Sequence, residues 1–180
     1  QAIILATGAL ERLVAFANND RPGVMAANAA RVYLNRFGVL PGQKIIVATN
    51  NDSAYPVAAD LARHGAAVTV IDSRDDAAPP APPDVTVRRG LAPLEAVGHP
   101  AVCAVKLARR SGTEWVEAGL EACDLLLVSG GWSPVVNLAS LRGASPVWDA
   151  VQCCFLPGAT REPIFSAGAA LYFPFGGQAV

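Results

Sequence analysis

The residues best placed to do chemistry fall in the run Thr49-Asn50-Asn51-Asp52-Ser53-Ala54 and at the acid Asp72. Asp72 closes the apolar run Ala67 to Ile71, about 20 residues past that turn, where dinucleotide folds place the carboxylate that accepts a ribose hydroxyl. The turn itself departs from the usual chemistry. Such folds use G-x-G-x-x-G, whose glycines let the backbone approach a pyrophosphate. Here no residue of the turn is glycine. Side chains at Asn50 and Asn51 would stand where phosphates usually lie, and Asp52 would repel them. Asn50, Asn51, Asp52, Ser53 and Asp72 are therefore dinucleotide candidates by position, with the turn chemistry against them.

Other reactive side chains are scattered. Cys103, Cys123, Cys153 and Cys154 form no C-x-x-C pair, so neither a redox dithiol nor a zinc site is indicated. Buried or neutral thiols of this kind suit a reducing, cytoplasmic setting. His64 lies near a helix end and His99 precedes Pro100; neither has a partner that would make it a base or a ligand. No catalytic residue and no metal ligand set is expected.

The elements that position the turn are legible around it. Ile45 to Ala48 is a short β-branched run, as expected for a strand buried on both faces. A helix follows with Val57, Ala58, Leu61 and Ala62 on one face, Pro56 in its first turn and Gly65 at its end. Ala67 to Ile71 is the second strand of a βαβ unit. The expected fold class is α/β, a Rossmann-like nucleotide-binding domain with a parallel central sheet and a β-hairpin or meander layer.

Elsewhere, a helix fits Val24 to Phe37, with Met25, Ala29 and Val32 sharing a face and Gly38 as its cap. Leu10 to Asp20 is irregular, and Ser73 to Asp84 is a proline-rich exposed loop. Val85 to Arg89 is a strand, and Ala101 to Leu107 with Trp115 to Ala118 forms a hairpin. Cys123 to Val128 returns to the buried sheet and ends in Ser129-Gly130-Gly131, a sharp turn or a close backbone approach. Val147 to Leu156 is a surface strand or hairpin. Pro163 to Ser166 enters the small-residue tract Ala167-Gly168-Ala169-Ala170. Tyr172 to Val180 shows no clear element.

Hydrophobic residues make up 52% and charged residues 16% of the 180. Soluble domains average about 25% charged, so part of the surface is expected to be covered by further chain or by a partner. The net charge of −1 without a basic cluster argues against nucleic acid. No apolar run has the length of a membrane span. The chain opens inside a strand without methionine, which reads as a piece of something longer. Ile4-Leu5-Ala6-Thr7-Gly8 is weakly echoed by Leu127-Val128-Ser129-Gly130-Gly131, the trace that two nested nucleotide folds would leave.

Several motifs together resemble the α subunit of heterotetrameric sarcosine oxidase. They are Ala6-Thr7-Gly8-Ala9-Leu10-Glu11-Arg12, the stretch from Phe16 to Met25, Tyr33-Leu34-Asn35-Arg36, Thr49 to Tyr55, and Val128 to Pro134. The A-T-G and S-G-G turns are shared by the wider flavoprotein superfamily with two dinucleotide domains. The resemblance implies a first nucleotide domain interrupted by a second. Residues 1–40 would belong to the first, 41–135 to the inserted one and 136–180 to the return. It also implies that NAD sits in the first domain, at Ala167, Gly168 and Ala169 with Thr7 and Gly8 nearby. Asn50 to Ser53 and Asp72 then become second-rank contacts. FAD and FMN are implied for the full complex, whose other subunits oxidise the amine. The segment alone would be inactive. Related α subunits serve opine, cyanide-forming and proline dehydrogenases, which gives a second reading. A third is a structural module with an empty nucleotide fold. Leu171-Tyr172-Phe173-Pro174 stands where the family places a glycine, and Asn137 where a histidine is common.

Overall fold

A computed structural model describes residues 2–75, 79–141, 143–160 and 162–171. The chain divides into two compact units. One is formed by the stretch up to Arg12 together with the stretch from Gly131 onward; the other is Leu13–Gly130.

The first unit opens with β1 (Ile3–Leu5) and β2 (Ala9–Glu11). The second unit then runs β3 (Val24–Ala26), α1 (Ala27–Phe37), β4 (Lys44–Thr49), α2 (Ala54–Arg63), β5 (Ala67–Asp72) and β6 (Val85–Arg89). It continues through β7 (Leu91–Val97), β8 (Ala104–Ser111), β9 (Glu114–Ala122) and β10 (Leu125–Ser129). The first unit resumes with β11 (Trp132–Pro134), α3 (Asn137–Ser140), β12 (Val147–Asp149), β13 (Cys154–Leu156) and β14 (Ile164–Ser166).

In the second unit a parallel sheet has the order β3-β10-β4-β5-β6. Alternation along its strands builds two cores. Ile45, Val47, Val68, Val70, Leu125 and Leu127 face α1 and α2. Ile46, Ala48, Ile71, Leu126 and Val128 face the antiparallel meander β7-β8-β9, through Leu91, Val105 and Leu107. The strands read as unbroken apolar runs because both faces are covered.

Two expectations change here. The expected helix from Val24 begins as a strand: Val24, Met25 and Ala26 pair in parallel with Leu126, Leu127 and Val128. Its buried stripe is therefore Ala27, Ala30 and Leu34, and Val32 is exposed. Gly38 does cap the helix, in the left-handed region, donating its N–H to the Leu34 carbonyl. The meander has a third strand, β7, which the expected hairpin lacked and which carries Pro93. A register shift between Pro93 and Glu95 accommodates that proline. The two units divide at residues 12/13 and 130/131, and β3 and α1 join the sheet of β4.

In the first unit β1 pairs in parallel with β14, β2 antiparallel with β11, and β12 with β13 as the expected hairpin. Residues Gly168–Ala170 form a single 3₁₀ turn. The stretch Tyr172 to Val180 lies outside the described residues.

Candidate functional site

The first candidate is the crevice at the carboxyl ends of β10, β4 and β5, the place where open α/β sheets bind ligands. Thr49 is the last residue of β4 and lies in register with Ser129 on one side and Asp72 on the other. Side chains of the turn fill both sides.

Towards β10, Asn51 is fully buried. Its amide Nδ2 donates to the Ser129 carbonyl at 2.9 Å and to Ser129 Oγ at 3.2 Å. Its Oδ1 accepts from the N–H and the hydroxyl of Ser53. Asn51 N–H in turn donates to Thr49 Oγ1 at 3.1 Å, and that hydroxyl donates to the Asn51 carbonyl at 3.0 Å. Asn50 Oδ1 accepts from Asn51 Nδ2 at 3.2 Å. A glycine-free turn is stable here because its polar side chains replace the phosphate as partners for the free amides.

Towards β5, Asp72 has no exposed surface. Its Oδ1 accepts from the backbone N–H and the Nε of Arg74, both at 3.0 Å. Its Oδ2 accepts from Arg74 Nη2 and the Tyr55 hydroxyl, both at 2.8 Å. A carboxylate has about four acceptor positions, and those of Asp72 are taken. Arg74 continues across the crevice, and its Nη1 donates to Asp52 Oδ1 at 2.8 Å. Burial, followed by the bond to Asp72, pushes the Tyr55 hydroxyl well above the ordinary phenol value. The Arg74 guanidinium is held protonated by hydrogen bonds and charge from Asp72 and Asp52, against the opposing cost of its burial. The sequence reading singled out neither Arg74 nor Tyr55. The signal for Arg74 was its place two residues after the acid.

The second candidate lies in the other unit, at the carboxyl ends of β1 and β14. Leu5 is paired with Ser166, and Ala167 N–H donates to the Leu5 carbonyl at 2.9 Å. Thr7 Oγ1 donates to the Val135 carbonyl at 2.8 Å, and Val135 N–H to the Gly8 carbonyl at 3.0 Å. Thr7-Gly8 and Ala167, 160 residues apart in sequence (167 − 7), thus follow adjacent strands. Gly8 and Gly168 have φ of +75° and +64°, and a Cβ at either would have no neighbour within 4 Å. Their backbones face open space, as a close ligand approach requires. Ala169 lies in the 3₁₀ turn that follows.

Gly131 resolves differently. Its φ is +94°, and a Cβ there would come within 2.6 Å of Arg12 Nη2. Arg12 Nη1 also donates to the Cys153 carbonyl at 2.6 Å. The close approach expected at the glycine pair is made by this arginine. Among the described residues there is no group of three or more His, Cys, Asp or Glu able to hold a metal. None of the described helices is long and apolar enough to cross a membrane.

The fold, an α/β architecture on a parallel sheet, is shared with solved reductase and dehydrogenase structures. Lactococcus lactis thioredoxin reductase superposes with a TM-score of 0.67 at 22% identity, over 97% of this chain and 59% of that one. L-proline dehydrogenase from P. horikoshii gives 0.66 at 22%, over 94% and 30%. Likeness at that identity establishes the fold alone. No family model matches the chain.

In sequence the chain is homologous to sarcosine oxidase subunit alpha. It is 44% identical to that of Corynebacterium sp. (strain P-1) over 174 residues, and 42% identical to that of Rhizobium meliloti (strain 1021) over 176 residues. Each match covers 93% of this chain but only 18% and 17% of the relative, so the chain spans less than a fifth of their length.

Proposed function

We propose that the chain is a segment of a sarcosine-oxidase-like α subunit, in a complex that oxidatively demethylates an N-methyl amino acid. The similarity of 42–44% over nearly the whole chain carries this reading. The segment supplies cofactor contacts and subunit interface, and the amine is oxidised elsewhere in the complex, with FAD and FMN as its flavins. The parent subunit nests one nucleotide fold inside another and works in the cytoplasm.

Within this reading NAD is held at Thr7, Gly8, Ala167, Gly168 and Ala169. The support is local. Two glycines with left-handed backbone lie beyond adjacent parallel strands, and both have open space where a side chain would stand. NAD bound there brings a nicotinamide that can accept hydride. The chain's own part is to hold it, through backbone groups at Gly8 and Gly168 and by keeping the Thr7 strand end fixed to Val135. The other crevice does not fit the cofactor. Its turn lacks glycine, and the carboxylate of Asp72 is already saturated.

The test is oxidation of sarcosine by the chain's intact complex, scored against proline and opines as competing substrates. A clear preference for sarcosine, with no activity from the segment alone, is the expected result. Preference for proline or an opine would move the parent to the corresponding dehydrogenase. Amine oxidation by the segment without other subunits would end the proposal.

A further inference from the structure

We propose that Arg74 is a resident occupant of the β4–β5 crevice, closing it in cis to the ribose that the fold would otherwise receive there. In dinucleotide folds the acid at the tip of the second strand accepts from a ribose hydroxyl. Here Arg74 takes both carboxylate oxygens of Asp72, Nε to Oδ1 and Nη2 to Oδ2, a two-pronged, charge-assisted pair. The third prong, Nη1, reaches Asp52 in the turn after β4. The guanidinium therefore spans the gap between the ends of two adjacent strands. Its side chain is 9% exposed, and that of Asp72 is 0% exposed. Tyr55 fills the last acceptor position from α2.

A ribose entering this crevice would have to break a paired, desolvated ion bridge before reaching the carboxylate. It would then strip Arg74 of its two bonds to Asp72, which is costly in a buried setting. Beyond that barrier, Asp52 sets a negative charge at the turn, where a phosphate would lie. The inference concerns the Leu13–Gly130 unit and does not depend on the cofactor assignment in the other one.

The test uses the intact protein with adenosine and NAD as probes. Hydrogen exchange of the natural protein should show the peptides covering Asn50–Ser53 and Asp72–Arg74 unchanged by either probe. Protection there would overturn the proposal. Protection at Thr7–Gly8 and Ala167–Ala169 with NAD reports the other site independently, and its absence counts against that assignment alone. Arg74→Ala should open the crevice. Calorimetry should find adenosine binding in the millimolar range, at least tenfold tighter than to the natural protein and lost again when Asp72→Asn is added. A folded Arg74→Ala protein that binds adenosine no better would show that Arg74 is not what closes the site. Should that variant fail to fold, the exchange experiment decides alone.

Discussion

Asp72 shows how one residue type can serve two designs. An acid at a strand tip can face a ligand, or it can be consumed by its own chain, and the choice rests on its neighbours. Here the neighbours are Arg74 and Tyr55. Tyr55→Phe removes one charge-assisted bond to a buried carboxylate and should cost about 1.5–3 kcal/mol, read by urea unfolding. The pH dependence has a defined sign. The Tyr55 hydroxyl is raised by burial, and next by its bond to Asp72. Its contribution is therefore complete below the ordinary phenol value near 10, and is lost as pH climbs above it. In an absorbance titration Tyr55 should stay protonated beyond the range where exposed tyrosines ionise, and ionise with alkaline unfolding, a step missing in Tyr55→Phe.

The cysteines make a second residue-scale test. Cys103 is exposed, whereas burial pushes the Cys123 thiol up to about 12. Iodoacetamide at pH 8 should label Cys103 in the folded protein and leave Cys123 unmodified until denaturant is added. Labelling of both at equal rates would contradict the packing of Cys123 beneath the parallel sheet. The sequence reading of buried or neutral thiols applied to Cys123 and Cys154, but its exposed member could not be told apart. Exposure at Cys103 depends on the strand end where it sits, and no neighbouring residue signals that.

Among elements, the β4–α2 turn carries the clearest lesson. Its lack of glycine was visible, and so was the consequence that phosphate would be disfavoured. What replaces the phosphate was not visible, because Ser129 and Arg74 lie 78 and 23 residues from Asn51 (129 − 51 and 74 − 51). Asn51→Ala should remove the side-chain link from the turn to Ser129 and leave the Ser53 N–H without its side-chain acceptor. A loss of about 2–3 kcal/mol in urea unfolding is expected. An unchanged midpoint would mean the turn holds itself by backbone alone.

The strands were legible from their apolar, β-branched runs, and β6 falls at its expected bounds, Val85–Arg89. Two strands were missed. In β3 three residues took strand form because the sheet offered an edge beside β10, a tertiary effect that overrides helical periodicity. β7 was not expected from the sequence; its Pro93 lies in the outer strand of the meander beside a register shift.

For the molecule as a whole, the low share of charged residues finds a counterpart in exposed apolar side chains. Ile4 is 71% exposed and Phe165 59%, on the two strands β1 and β14 that pair in parallel. Parallel strands are normally covered on both faces. This accords with a segment that is packed against more protein in its working state. The segment expressed alone should bind the dye ANS and self-associate on a sizing column, and its co-expressed complex should do neither. A monodisperse segment without dye binding would count against that reading.

The two strand–glycine turns that echo each other in sequence also share a position in their strands. Both turns lie at the carboxyl ends of parallel strands, Thr7-Gly8 after β1 and Gly130 after β10. The sequence could point to that likeness. It could not separate a turn that faces open space from one, like Gly131, that faces an arginine of its own chain.

The proposed dinucleotide contact lies at Gly8 and Gly168 and not at Asp72. The most direct measurement is the NAD content and affinity of the purified complex carrying Gly168→Val or Asp72→Asn. At least a tenfold loss of affinity, or about 1.4 kcal/mol, is expected for Gly168→Val, and near-natural NAD binding for Asp72→Asn. Retention of NAD by Gly168→Val together with its loss from Asp72→Asn would contradict it.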